Sequence, residues 1–192
     1  MHMDPTMYIA NFYRKRNLLP EDTVACMEYT LKCIFNEISK VMIYTGLFWV
    51  CGFLYEFWFC YIVFVSVRIF AGGIHCKTYW GCFFVSFLFI SLCVILPQVL
   101  SLSTPVLIWA TLFSCAFPLL LSPVTPAFRI IKSKSHRIWL RLLALGICLG
   151  WVLFAQVANC NEELMQTILL TVSVANYQLV IPKGVYYFKN RR

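Results

Sequence analysis

The sequence predicts an all-α fold, a polytopic membrane helical bundle of about six short membrane helices preceded by an interfacial amphipathic helix. Hydrophobic residues make up 61% of the 192 residues, charged residues only 12%, and the mean hydropathy is +0.77. That hydrophobic share exceeds what the core of a soluble domain of this length encloses. The composition therefore excludes a disordered chain, a disulfide-stapled secreted domain and an ordinary cytosolic enzyme.

The amino-terminal part of the chain is predicted to lie on the cytoplasmic membrane surface. Met1 to Leu19 is polar and aromatic, which favours an irregular arm. Pro20 to Asp22 has the proline and acidic residues of a first helical turn, and apolar residues then recur at helical spacing from Val24 to Ile38. Glu28 and Lys32 form a favourable pair, four positions apart, on the other side of that helix. An amphipathic helix of this kind lies along a membrane rather than across it.

A membrane domain is predicted for residues 41–192, with residues 1–40 as the arm and surface helix before it. Its first apolar run, from Val41 to Val67, is 27 residues long. As one helix this run would reach about 40 Å, more than the roughly 30 Å of a hydrocarbon core, so it fits either one tilted span or two short ones. The four later apolar runs are residues 82–96, 106–121, 142–158 and 164–181.

Charge in the loops predicts which ends face the cytoplasm, because Lys and Arg are enriched in cytoplasmic loops. Residues 101–105 carry no charge and residues 156–163 carry acidic charge alone, so both loops are assigned to the outside. The basic stretches assigned to the cytoplasm are residues 68–77, 129–141 and 183–192. Since the amino-terminal arm is also basic, residues 41–67 must cross an even number of times. This predicts a shallow helical hairpin that turns near Gly52 to Glu56.

The segment of residues 68–82, between this hairpin and the next span, concentrates the residues suited to chemistry. They are Arg68, Gly72, Gly73, His75, Cys76 and Cys82. Cysteine catalysis requires a thiolate and a base that takes the thiol proton. On one straight helix His75 and Cys82 would lie about 10.5 Å apart along the axis, so the chain between them must fold back. The two glycines offer the backbone freedom that such a turn needs.

Thr78 is predicted to cap the helix that continues through Phe83. Cys82 then lies in the first helical turn, where the positive end of the helix dipole favours a thiolate. Cys76 competes for the role of nucleophile, but it is adjacent to His75, and neighbouring side chains point away from each other. Cys82 is therefore the preferred nucleophile.

The string R-x-x-x-G-G-x-H-x-x-x-x-x-x-C, from Arg68 to Cys82, resembles the accessory gene regulator B (AgrB) family of membrane cysteine endopeptidases. The length, the net charge of +8 and the hydropathy profile are also similar across nearly the whole chain. The resemblance implies that Cys82 is the nucleophile, that His75 is the general base, and that Arg68, Gly72 and Gly73 are supporting residues.

The same resemblance implies a function and partners. Members of the family cleave a membrane-associated AgrD-like precursor peptide and help to cyclise the product into a thiolactone autoinducer for quorum sensing. We therefore expect a multi-pass protein of the cell membrane, in contact with the lipid bilayer, with its active site at the cytoplasmic side and a homodimeric assembly. The alternative is a small membrane peptide transporter or exporter without proteolytic activity.

No cofactor is expected, neither a metal nor an organic group, because the sequence has no H-E-x-x-H pattern. Nucleic acid is not expected as a partner, since the basic residues form no stripe with interleaved aromatic residues. Arg68 is either a snorkelling cap on the preceding span or a contact for a substrate carboxylate. Glu56, an acid within an apolar run, is either harmless at the tip of the hairpin or a functional group that orients His75.

Overall fold

The computed structural model describes residues 5–16, 20–73, 78–100, 103–123, 133–158 and 160–181. These ranges contain eight α-helices, and the chain divides into two compact units between Val50 and Cys51. The first unit holds α1 (Pro5–Lys15) and α2 (Glu21–Val50). The second holds α3 (Leu54–Ala71), α4 (Tyr79–Val99), α5 (Thr104–Ser114), α6 (Ala116–Leu121), α7 (Lys134–Val157) and α8 (Glu162–Tyr177). The predicted all-α membrane class is confirmed.

The first unit differs from the sequence prediction at its start, where α1 replaces the expected irregular arm of residues 1–19. A helix of this length is marginal in isolation, so its contacts with α2 stabilise it. The Arg14 side chain lies 3.5 Å from Glu21 and 3.8 Å from Glu28. The predicted pair of Glu28 and Lys32 is confirmed, with an oxygen to nitrogen distance of 2.7 Å.

Helix α2 passes through residue 40 without a break and ends at Val50. The chain then turns at Gly52, whose φ of +81° is a conformation that favours glycine. Helix α3 begins two residues later, at Leu54. The chain therefore breaks between two helices at Gly52, where the hairpin was predicted to turn, and the hairpin itself stays a prediction.

Among the described residues, four helical segments rather than six are long and apolar enough to cross a membrane. They are Leu54–Ala71, Tyr79–Val99, Thr104–Leu121 and Lys134–Val157. The predicted count of six was too high for two reasons. The apolar stretch from residue 41 is the last part of α2, which starts as a polar helix. The predicted span of residues 164–181 overlaps α8, which has only 16 residues and begins at two glutamates.

Helix α8 is the centre of the second unit and packs against α3, α4, α5 and α7. Several of its polar side chains are buried and bonded to these neighbours. Asn176 donates to the hydroxyl of Ser114 at 3.1 Å, and the Thr111 and Ser173 hydroxyls lie 2.9 Å apart. A helix that carries so many polar groups is stable inside a membrane protein because helices, rather than lipid, surround those groups.

Hydrogen bonds define the two ends of this bundle. At one end, which we call the Arg68 end, Ser122 donates to the carbonyl of Phe70 at 3.4 Å, and Arg141 Nε donates to the carbonyl of Ser122 at 2.6 Å. At the other, the Glu162 end, the Thr104 hydroxyl donates to the Glu162 carboxylate at 2.8 Å. The starts of α5 and α8 therefore share one end, as the predicted topology requires.

Helices α4 and α8 run in opposite directions. Helices α3 and α4 pack against each other, with the thiols of Cys60 and Cys93 in contact, and only seven residues link Ala71 to Tyr79, so these two helices are antiparallel. The bonds of Thr104 to Glu162 and of Ser114 to Asn176 make α8 parallel to α5. The start of α4 and the end of α8 consequently meet at the Arg68 end.

Candidate active site

The end of α3 is shaped by Gly72. Its N–H donates to the carbonyl of Arg68 at 2.9 Å, and its φ of 84° and ψ of −166° lie in a region that is essentially restricted to glycine. Any side chain at this position would strain the backbone. The sequence places glycine here because the chain must leave the helix in this conformation.

Gly73 is buried against the side chain of Arg68. A Cβ atom at Gly73 would lie 2.6 Å from Arg68 Nε, so only glycine lets the arginine occupy this position. The guanidinium carbon of Arg68 lies 5.6 Å from the centroid of the Phe64 ring, within the range of a cation–π contact. Arg68, Gly72 and Gly73 therefore form one local unit, in which the arginine supports the backbone of the turn.

Replacing Gly72 by Ala is expected to lower the free energy of unfolding by about 1–3 kcal/mol, because alanine at this φ and ψ is strained. Gly150→Ala in α7 is the matched control, since a Cβ there has nothing within 4 Å and sits in a regular helix. The control should be neutral or stabilising by up to about 1 kcal/mol. Equilibrium unfolding in mixed micelles measures both variants. Equal effects of the two changes would contradict a special role for the backbone of Gly72.

Thr78 caps α4, as the sequence predicts. Its φ of −115° and ψ of 149° are extended, and its side-chain oxygen accepts the N–H of Gly81 at 3.2 Å. The Thr78 carbonyl accepts the N–H of Cys82 at 3.1 Å, which closes the first α-helical turn. Cys82 thus lies in the turn where backbone N–H groups lack helical acceptors and the local potential is positive.

The half-buried thiol of Cys82 stands at the end of a buried stripe on α4. Ser86, one turn later, and Cys93, two further turns on, lie on the same helical face and are buried in the bundle. Trp80 and Phe84 lie on other faces and are 62% and 61% exposed. Cys82 therefore faces the edge of the bundle interior, whereas Trp80 and Phe84 face outward, where lipid would contact them.

The structure brings Arg68, Gly72, Gly73 and Cys82 to the same end of the bundle. His75 lies in residues 74–77, outside the described residues, and so does the competing nucleophile Cys76. The meeting of His75 with Cys82 therefore stays a prediction.

Glu56 lies at the far end of α3 from Arg68, and its suggested role in orienting His75 stays a prediction because His75 lies outside the described residues. Glu56 is in the first turn of α3, whereas Arg68 is in its last turn. Twelve residues of helix separate them by about 18 Å along the axis. The acid therefore belongs to the opposite end of α3 from the candidate active site.

Two features of the Arg68 end were missed by the sequence analysis. The first is the bridge of Ser122 and Arg141, which ties the end of α3 to α6 and α7. The second is Gln178, which is 3% exposed and whose Nε2 has no hydrogen-bond partner among the described residues. The sequence signal for Gln178 was its position within a predicted membrane span, where a polar side chain without a hydrogen-bond partner costs free energy.

The family model Accessory gene regulator B (AgrB) matches residues 6–181. The chain belongs to the AgrB family. A relative from Clostridium beijerinckii, named "Putative AgrB-like protein", is 29% identical to this AgrB protein over 187 residues, which are 92% of this chain and 87% of that relative. No solved structure shows a significant match.

Membership of the AgrB family supports a role in quorum sensing, in the processing of AgrD-like precursor peptides in a membrane. The matched range includes the whole string from Arg68 to Cys82. Among the residues that the structure describes, no three His, Cys, Asp or Glu side chains are grouped as metal ligands would be.

Proposed function

We propose that this AgrB protein is a membrane-embedded cysteine endopeptidase. It cleaves an AgrD-like precursor through an acyl-enzyme thioester on Cys82 and transfers the acyl group to a thiol of the precursor, which closes a thiolactone. The observation that carries the proposal is the position of Cys82 in the first turn of α4, behind the Thr78 cap. A half-buried thiol in that turn lies beside backbone N–H groups that have no helical acceptor, and it is accessible to a peptide at the membrane surface.

In the first step, His75 takes the thiol proton and the thiolate of Cys82 attacks the carbonyl carbon of the scissile peptide bond. The tetrahedral intermediate then collapses, the carbon–nitrogen bond breaks, and His75 returns the proton to the leaving amine. The acyl part of the precursor remains on Cys82 as a thioester. The proposal requires the chain to fold back after the turn at Gly72 and Gly73, so that His75 meets Cys82.

In the second step, a cysteine thiol of the same precursor gives its proton to the now neutral His75 and attacks this thioester, and Cys82 leaves as the thiolate, which His75 reprotonates. One thioester replaces another, so the activated bond is kept at little cost in free energy, provided that water does not attack first. A site at the rim of a membrane bundle limits that competing hydrolysis.

We further propose that this site faces the cytoplasm, as part of a homodimer. Arg68 and Arg141 lie at the Arg68 end, whereas Glu162 and Glu163 begin α8 at the other. This distribution agrees with the enrichment of basic residues on the cytoplasmic side of membrane proteins. The homodimer rests on family resemblance alone.

The alternative of a peptide transporter is less well supported by the packing. A transporter needs a polar path between its helices, and the polar residues of α8 are the nearest equivalent. Those residues are bonded to their neighbours instead, as with Thr171 to Cys60 at 3.3 Å and Cys148 to Asn176 at 3.4 Å. Such bonds hold the centre of the bundle together and line no open route.

The proposal is tested by trapping the thioester. The protein is reconstituted in lipid vesicles and given an AgrD-like precursor whose own cysteine is replaced by alanine, so that the second step is blocked. An adduct of the amino-terminal part of the precursor on Cys82 should accumulate, and hydroxylamine should release it. Mass spectrometry of proteolytic fragments locates the adduct.

The unmodified precursor is the control, since it should release the cyclic product and leave little adduct. Cleavage of the alanine precursor without any adduct on Cys82 would disprove the covalent mechanism. Transfer of intact precursor across the vesicle membrane, with no cleavage, would establish the transporter instead.

A further inference from the structure

Within the described part of the chain, Gln178 is a buried hydrogen-bond donor without a partner, and it lies at the Arg68 end of the bundle. Its side chain is 3% exposed, and no described group accepts a hydrogen bond from its Nε2. Leaving such a donor unpaired costs free energy, and folded proteins leave few of them. At this end of the bundle, the donor is free to pair with a ligand that supplies an acceptor.

The helical register of α8 places Gln178 against the seam between α3 and α4. Thr171, seven residues earlier, donates to the thiol of Cys60 on α3 at 3.3 Å, and Cys60 interacts with Cys93 on α4. Seven residues are close to two full turns, so Thr171 and Gln178 lie on the same face. The helical conformation extends to Gln178, since its φ is −60°, its ψ is −19° and its N–H donates to the carbonyl of Val174 at 3.1 Å.

The register of α4 then places Gln178 one turn from Cys82. Through Cys60, Thr171 of α8 lies at the level of Cys93 of α4. Because the two helices are antiparallel, Gln178, seven residues after Thr171, lies at the level of Ser86, seven residues before Cys93. Cys82 lies one turn beyond Ser86, on the same face and toward the Arg68 end. A glutamine side chain is long enough to span one helical turn, since in helices it bonds to side chains three or four positions away.

We propose that Gln178 Nε2 is an oxyanion-hole donor for the acyl-transfer reactions at Cys82. The inference rests on the proposed function. Attack of Cys82 on the peptide carbonyl, and attack of the precursor thiol on the thioester, each convert a carbonyl oxygen into an oxyanion. One fixed N–H group can stabilise both intermediates, and it acts strongly because the bundle rim is partly shielded from water. The unpaired donor of the apo protein is then paired in the transition state.

The test compares Gln178→Met with Gln98→Met. Methionine keeps the length of the side chain and removes the N–H donor. Gln98 is the matched control because its Nε2 is also buried without a described partner, but it lies near the end of α4, at the Glu162 end. Two rates are measured in vesicles: formation of the Cys82 acyl-enzyme from the alanine precursor, and alkylation of Cys82 by iodoacetamide.

Alkylation displaces iodide from a saturated carbon and forms no oxyanion, so it reports only whether the Cys82 site is intact. In Gln178→Met we expect acyl-enzyme formation to fall by about 10²–10³-fold, with the alkylation rate unchanged. Gln98→Met should retain both rates.

Unchanged acylation in Gln178→Met would overturn the proposal. A parallel fall of acylation and alkylation would also overturn it, because Gln178 would then support the structure of the site and not the oxyanion. Absence of an acyl-enzyme in the unsubstituted protein is a separate result, which would reject the proposed function itself.

Discussion

Cys82→Ala is expected to abolish cleavage of the AgrD-like precursor while the protein still inserts into the membrane. Loss of the nucleophile removes the covalent route, and in enzymes with an activated nucleophile such a change lowers kcat by as much as about 10⁶-fold. The half-buried site at the start of α4 accepts a smaller side chain, since the Thr78 cap and the first-turn hydrogen bond use no atom of the cysteine side chain. Release of the cleaved peptide from vesicles, measured by mass spectrometry, gives the result.

Cys26→Ala is the matched control, because Cys26 is an exposed cysteine on α2. It should cleave at the rate of the unsubstituted protein. Substantial cleavage by Cys82→Ala, with normal abundance in the membrane, would contradict the assignment of Cys82 as nucleophile. Peptide transfer that persists in Cys82→Ala, with no cleavage in either protein, would favour the transporter.

Local features of the candidate site could be predicted from the sequence. Thr78 accepts a hydrogen bond from a residue three positions on, and Gly72 adopts a conformation that only glycine tolerates. Each of these features depends on residues within one turn of the chain. For the same reason the break at Gly52 and the pairing of Glu28 with Lys32 were predictable.

The predicted number of membrane spans was wrong because hydropathy does not show which helix lies inside the others. Residues 164–181 look like a short apolar span, but α8, which covers most of them, is enclosed by four helices and carries buried polar groups such as Thr171 and Asn176. Which neighbours accept these groups depends on Cys60 and Ser114, more than 60 residues away. Contacts between such distant residues leave no periodic signal.

The start of α7 shows a second limit of apolar patterns. The predicted span began at residue 142, after the basic residues, whereas the helix begins at Lys134 behind a Ser133 cap that accepts the N–H of His136 at 3.4 Å. The polar first turns allow Arg141 to reach the carbonyl of Ser122. An apolar window excludes these turns although they belong to the same helix and fix the Arg68 end.

His75→Ala is expected to lower the rate of precursor cleavage by about 10²–10⁴-fold, the usual contribution of a general acid and base. His136→Ala is the control, since His136 is exposed in the first turn of α7 and should not affect the rate. Added imidazole should restore part of the activity to His75→Ala, because it can carry the proton that the missing side chain moved. A purely structural role would show no such rescue. Cleavage by His75→Ala at the normal rate would remove His75 from the mechanism and would leave the anion-stabilising turn of α4 as the main source of the reactivity of Cys82.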